Sequence, residues 1–94
     1  MREIEYSALF KRDYKKVKAS SRHSRDIDLL LAGIVPLLCE DRPLPASNRD
    51  HPLAGEWDGH RECHVKPDLL LIYEKPDDDV LRLVRLGSHS KLFR

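Results

Sequence analysis

Cysteine is scarce in this sequence: Cys39 and Cys63 are the only two in 94 residues, too few for a disulfide framework. Both are expected to be small buried apolar residues in a reducing compartment. No apolar run approaches the roughly 20 residues that a membrane-spanning helix needs, so no membrane partner is expected. The opening residues MREIEYSALF lack the charged, apolar and small-residue zones of a secretory signal. The expectation is a cytoplasmic protein. Glycine-rich phosphate loops, an HExxH helix and a GxSxG elbow are all missing, which argues against P-loop enzymes, zincins and α/β-hydrolases. Net charge is small as well, at +1, and by itself argues for no polyanionic partner.

What remains is a chain of single-domain length, residues 1–94, with no repeats and no low-complexity tract. Apolar residues make up 40% and charged residues 35%, a globular composition with a thin core. The charge is unevenly spread. Residues 1–25 hold eight of the seventeen basic residues, Lys15 and Lys16 among them, against three acids. A segment of this kind attracts phosphates, although a charge run taken alone is more often a solvated helix face. Lys15 and Lys16 are its expected substrate-binding residues.

Arg2–Tyr6 alternates and predicts a short strand. Ser7 is placed to cap a helix in which Phe10, Tyr14 and Val17 form the buried stripe, ending near Ser20 or Ser21. Ser24 or Asp26 is placed to cap a second helix with Ile27, Leu30, Leu31, Ile34 and Leu38 inward, Leu29 and Leu37 widening the stripe. Pro36 is expected to kink or end it. Arg42–Pro52, with Pro43, Pro45 and Pro52, reads as a long ordered loop without regular structure. The period then switches to two. Strands are expected at His60–Val65, Leu69–Glu74 (buried on both faces) and Val80–Leu86, with turns at Trp57–Gly59, Pro67–Asp68 and Pro76–Asp79. Gly87 ends the pattern before a tail, Ser88–Arg94. Short connections make these strands an antiparallel meander. The predicted class is α+β, β-α-α-β-β-β, with two N-terminal helices packed on a small antiparallel sheet.

Five histidines stand in the chain, and His51, His60, His64 and His89 lie in its second half. Histidine moves protons near neutrality, with an unperturbed pKa of about 6.5. Cleaving RNA without a metal needs a base for the 2′-hydroxyl, an acid for the departing 5′-oxygen, and a cation for the pentacoordinate phosphate. Histidines, Asp68 and Arg85 include those parts. Strand parity puts Arg85 in line with Gly87 and His89, whereas Arg82 points the other way, as a solvated or core-rim residue. His23 and His60 are assigned to the surface and Trp57 to the core. His60, Cys63, His64 and His89 include metal-ligand types. Cys63 and His64 face opposite sides of their strand, however, and no standard zinc spacing occurs. No metal and no cofactor is expected. Taken one at a time, each histidine is more often structural than catalytic, and clustering alone leaves an enzyme and a binding module evenly matched.

Order and spacing add to that. Asp50-His51-Pro52-Leu53, Gly55-x-Trp57-x-Gly59-x-Arg61, His64-Val65-x-Pro67-Asp68, Leu71-Ile72-Tyr73, Arg85-x-Gly87-x-His89 and Leu92-Phe93 follow in series. Ile4-Glu5-Tyr6-Ser7 precedes them, with Pro43-Leu44-Pro45 between. In this set the chain resembles the YafQ branch of the RelE superfamily, the ribosome-associated mRNA endonuclease toxins of bacterial toxin–antitoxin systems. The resemblance spans nearly the whole chain. It implies a RelE-like fold and a cytoplasmic toxin that cuts mRNA in the A site of the 70S ribosome, leaving a 2′,3′-cyclic phosphate. It also implies neutralisation by a cognate antitoxin whose C-terminal segment wraps the toxin.

Carried over by position, His51, His64, Asp68, Arg85 and His89 are the expected catalytic residues, and Phe93 the ring that stacks on a base. The resemblance makes His89 the general acid, Asp68 or a neighbouring histidine the base, and Arg85 the phosphate cation. His51 and His64 would position or share protons. Two features depart from the family. Leu69 stands where close members carry an aromatic that contacts mRNA, a contact of roughly 1–3 kcal/mol, and the net charge is low. Those departures motivate a second expectation, a decayed toxin that only binds its antitoxin. A metal-dependent enzyme is a third and weaker one.

Overall fold

A computed structural model describes residues 1–93; Arg94, part of the predicted tail, lies outside the described residues. The elements run β1 (Glu3–Tyr6), α1 (Ala8–Ala19), α2 (Ile27–Cys39), β2 (His51–Pro52), β3 (Arg61–Lys66), β4 (Leu69–Glu74), β5 (Val80–Gly87) and α3 (His89–Leu92), with 3-10 turns at Ala46–Asn48 and Gly55–Trp57. The predicted α+β class holds. The five strands form one sheet in the order β1-β5-β4-β3-β2. The meander β3-β4-β5 is antiparallel, while β1 joins β5 in parallel, so the sheet as a whole is mixed.

β4 explains the layering. Alternate residues of a strand face opposite sides, and here both sides are covered. Leu69, Leu71 and Tyr73 enter the main core with Phe10, Val17, Ile27, Ile34 and Leu38 of the two long helices. Leu70 and Ile72 enter a smaller cluster with Leu92, Trp57 and Phe93. An unbroken apolar run is the sequence form of a strand buried on both faces.

Ser7 caps α1 as expected, its hydroxyl accepting the Phe10 N–H at 2.9 Å. The same hydroxyl donates to the Val84 carbonyl at 2.7 Å. β5 outruns β1, whose pairing stops at Tyr6 opposite Leu83. Beyond that point Ser7 and Asp13 of α1 meet the backbone groups that β1 leaves open.

Three expectations change. Of the two alternatives for Pro36, an end to the helix is not met: α2 continues past it to Cys39, because Leu38 and Cys39 beyond the proline are buried and hold the last turn in place. Leu29 does not widen the buried stripe; it stands 76% exposed. The proline-rich segment is not devoid of regular structure, since His51 and Pro52 pair with Glu62 and Arg61. Pro52 is tolerated because β2 is an edge strand. Asn48 donates to the His64 carbonyl at 2.8 Å, and the Tyr73 hydroxyl to Asp50 at 2.6 Å. Those two bonds pin the loop on either side of Arg49. Burial, then the Asp50 bond, pushes the Tyr73 hydroxyl above its ordinary pKa. Gly59 closes the turn into β3 at φ +87°, where a side chain would be strained.

Candidate active site

α3 organises one part of the site. A Cβ on Gly87 would meet the Leu92 side chain at 3.3 Å, so glycine there lets the chain turn back and seat Leu92 against Leu70 and Ile72. That places His89 at the start of α3 with its ring 5.0 Å from Phe93, centroid to centroid. Phe93 in turn stands edge-on to Trp57 at 6.4 Å. His89 is exposed and Phe93 half-buried.

The sheet supplies a second part. His64 pairs with Leu70, and Leu70 with Gly87. Paired residues point to one face, so His64 stands on the α3 side, across β4 from the start of α3. Glu62 pairs with Ile72 and shares that face. His51, opposite Glu62 on β2, brings its Nε2 to 2.8 Å from the Glu62 carboxylate. Its Nδ1 lies 3.1 Å from the Pro52 carbonyl oxygen. Glu62 is buried, and its second oxygen has no hydrogen-bond partner among the described residues.

The third part is a cleft of about 570 Å³ between the end of α1, the β3–β4 turn and α3. Its wall carries Lys16, Arg22, Arg85 and Lys91 against Asp13 and Asp68, with His23 beside them. Positive charge is in excess, which suits an anion. Arg85 donates from Nε and Nη2 to the two Asp13 oxygens at 2.7 and 3.1 Å, and Asp13 also accepts the Leu86 N–H at 3.0 Å. The Asp13 carboxylate holds the Arg85 guanidinium above its ordinary pKa. Asp68, in the turn, is paired with Arg22 at 2.7 Å.

Of the residues singled out from sequence, the structure gathers Lys16, Asp68 and Arg85 around the cleft. It sets the His89 ring at a tilt beside Phe93 and puts His51 and His64 on the sheet face beside α3. Lys15 is elsewhere, on a separate apolar groove between α1 and α2. Sequence reasoning missed Asp13 and Glu62, the carboxylates that hold Arg85 and His51. Partners distant in sequence leave no local signal, though an aspartate on the buried stripe of α1 was a hint. It also misplaced two histidines. His60 is not a surface residue: its ring sits edge-on to Trp57 at 5.3 Å and its Nε2 lies 3.2 Å from Glu74. His23 is half-buried and lines the cleft.

Cys39 and Cys63 are buried free thiols, as expected. Burial pushes the Cys63 thiol up to about 12. Among the described residues no three His, Cys, Asp or Glu side chains are grouped to hold a metal. Leu69 is 2% exposed and packs in the main core. Leu69 also lines the cleft, so the missing aromatic falls on the wall of the cleft itself.

Residues 2–94 match the family described as "Bacterial toxin of type II toxin-antitoxin system, YafQ". The chain belongs to that family. It is 42% identical over 92 residues to the mRNA interferase toxin YafQ of Escherichia coli K12, covering 98% of this chain and 96% of that one. Its fold matches a chain of the E. coli DinJ–YafQ complex at a TM-score of 0.83 with 39% identity, covering 100% of this chain and 100% of that one. A metal-bound toxin from Helicobacter pylori gives a TM-score of 0.86 with 44% identity, covering 99% and 100%. These likenesses agree with the resemblance seen in the sequence and with its RelE-like fold.

Among the described residues, no helix is long and apolar enough to cross a membrane.

Proposed function

We propose that this protein is an endoribonuclease toxin that cuts mRNA in the ribosomal A site and is held inactive by a cognate antitoxin in the cytoplasm. The observation that carries the reading is the cleft, where a carboxylate-anchored arginine and two lysines face the same space as Asp68, with Ser88 and Lys91, which flank His89 in the chain, on its wall. The E. coli relative named an mRNA interferase supports the substrate, and the relative solved with DinJ supports the antitoxin.

In this mechanism the base, Asp68 or a neighbouring histidine, takes the proton of the 2′-hydroxyl. The freed oxygen attacks phosphorus in line. His89 donates a proton to the departing 5′-oxygen as the P–O bond breaks. One product carries a 2′,3′-cyclic phosphate and the other a 5′-hydroxyl. Arg85, fixed by Asp13, stabilises the charge on the pentacoordinate phosphate without having to reorganise. His51 and His64 position or share protons, Lys16 steers the RNA backbone, and Phe93 stacks on a base. Each step uses side chains alone.

Purified protein added to ribosomes paused on a short mRNA tests this. The expected result is A-site cleavage with cyclic-phosphate ends, unchanged by added chelator beyond the ribosome's own magnesium need, and lost in Arg85→Ala. Intact mRNA would overturn the proposal.

A further inference from the structure

We propose that Arg22 is a phosphate-binding residue of the cleft, and that an RNA phosphate draws it away from Asp68 on binding. The inference rests on the endoribonuclease reading and adds to it a residue on the α1–α2 connection and a reason for Asp68 to be engaged in the free protein. Arg22 and Asp68 both line the cleft. Their side chains are 76% and 42% exposed while held at 2.7 Å, and an exposed ion pair of this kind contributes little.

The backbone that carries Arg22 is anchored even though its side chain is not. Its N–H bonds the Ser20 hydroxyl at 3.2 Å and its carbonyl accepts from Lys66 at 3.3 Å. Lys66 is itself fixed by Asp26 at 2.9 Å, with His23 at 3.3 Å. The guanidinium can thus change partner without moving the turn.

A phosphodiester presents two oxygens to the arginine fork and releases condensed counterions on pairing. It therefore competes with a solvated carboxylate. Exchange puts positive charge on the phosphate and leaves the Asp68 carboxylate free of its arginine as substrate arrives. Arg85 cannot behave this way, because Asp13 holds it with two bonds in a largely buried position.

The test is binding of a 2′-O-methylated RNA trinucleotide, which has no attacking hydroxyl, to the purified protein across a salt series. Thermal melts of every variant confirm the fold. Arg22→Gln should weaken binding about threefold to tenfold and reduce the salt slope, whereas Arg22→Lys should keep the slope. Asp68→Asn should tighten binding about threefold, and that gain should vanish in the Arg22→Gln background.

An equal gain in both backgrounds would mean that Asp68 only repels the probe, and would overturn the exchange. Wild-type affinity in Arg22→Gln, or no binding by the wild type, would overturn the site. Ribosomal cleavage with Arg22 silent would sink this inference and spare the endoribonuclease reading. Arg22-dependent binding without cleavage would do the reverse.

Discussion

Arg85 and Arg22 each hold an aspartate at 2.7 Å on the wall of one cleft, yet the two pairs differ in kind. Arg85–Asp13 is mostly withdrawn from water, at 22% and 10% side-chain exposure, and is tied to the β5 backbone through Leu86. Arg22–Asp68 stands in solvent on a turn. A buried pair is costly to break, because the survivor is an uncompensated charge, whereas an exposed pair costs little either way. One cation is set in place and the other is free to be recruited. In the proposed reaction, which must both grip a phosphate and bring up a base, the two kinds of pair would divide the work.

The largest expected effect is on the buried pair. Asp13→Ala strands Arg85 and leaves the Leu86 N–H without its acceptor, and should cost about 3 kcal/mol or more. For a domain of this size that is a fall in melting temperature of over about 10 °C. A small change would erase the distinction between the pairs. The double variant Asp13→Ala/Arg85→Leu should recover about 1–2 kcal/mol of that loss, since no charge is stranded, while cleavage stays absent. Urea denaturation of the two variants side by side measures the difference.

Alkaline pH offers a check that bypasses both pairs. The Cys63 thiol is raised from 9.0 to about 12 by burial. The unfolded thiol ionises from about pH 9 while the folded one keeps its proton, so stability is full below 9 and falls as pH climbs towards 12. The slope approaches roughly 1 kcal/mol per pH unit. Tyr73 acts in the same direction from its ordinary value of 10.0 upward. The Cys39 thiol is also raised from 9.0 by burial, so melts between pH 9 and 10 report the two thiols together, and Cys63→Ala should reduce the slope there. An unchanged slope would place the alkaline loss elsewhere, at Cys39. The smallest effect is on the exposed pair: Asp68→Asn should change stability by less than about 1 kcal/mol. A larger loss in the melt would mean that Arg22–Asp68 is structural.

Local signals were legible in the sequence, and contacts across the fold were not. The apolar run of β4, the Ser7 cap and the turn at Pro67–Asp68 each follow from neighbouring residues, and each stands where expected. β2 was hidden because a proline at an edge resembles a proline in a loop. The persistence of α2 through Pro36 depends on what buries Leu38 and Cys39, which lies in other elements. Strand parity chose Arg85 over Arg82, and Arg82 does lie away from the cleft, paired with Glu5 and Glu74. Parity could not show the irregularity in the β4–β5 register near Val84, nor Asp13, 72 residues from Arg85. His60 looked exposed beside Glu62 because nothing local announces the Trp57 ring packed against it.

The proposed reaction cuts mRNA with His89 as the acid. Mapping mRNA 5′ ends in cells that express the protein without an antitoxin tests it most directly, with His89→Ala in parallel. Growth arrest with new 5′-hydroxyl ends inside translated codons is predicted for the wild type, and neither for His89→Ala at equal abundance and melting temperature. Arrest with intact transcripts, or the same ends from both proteins, would contradict it.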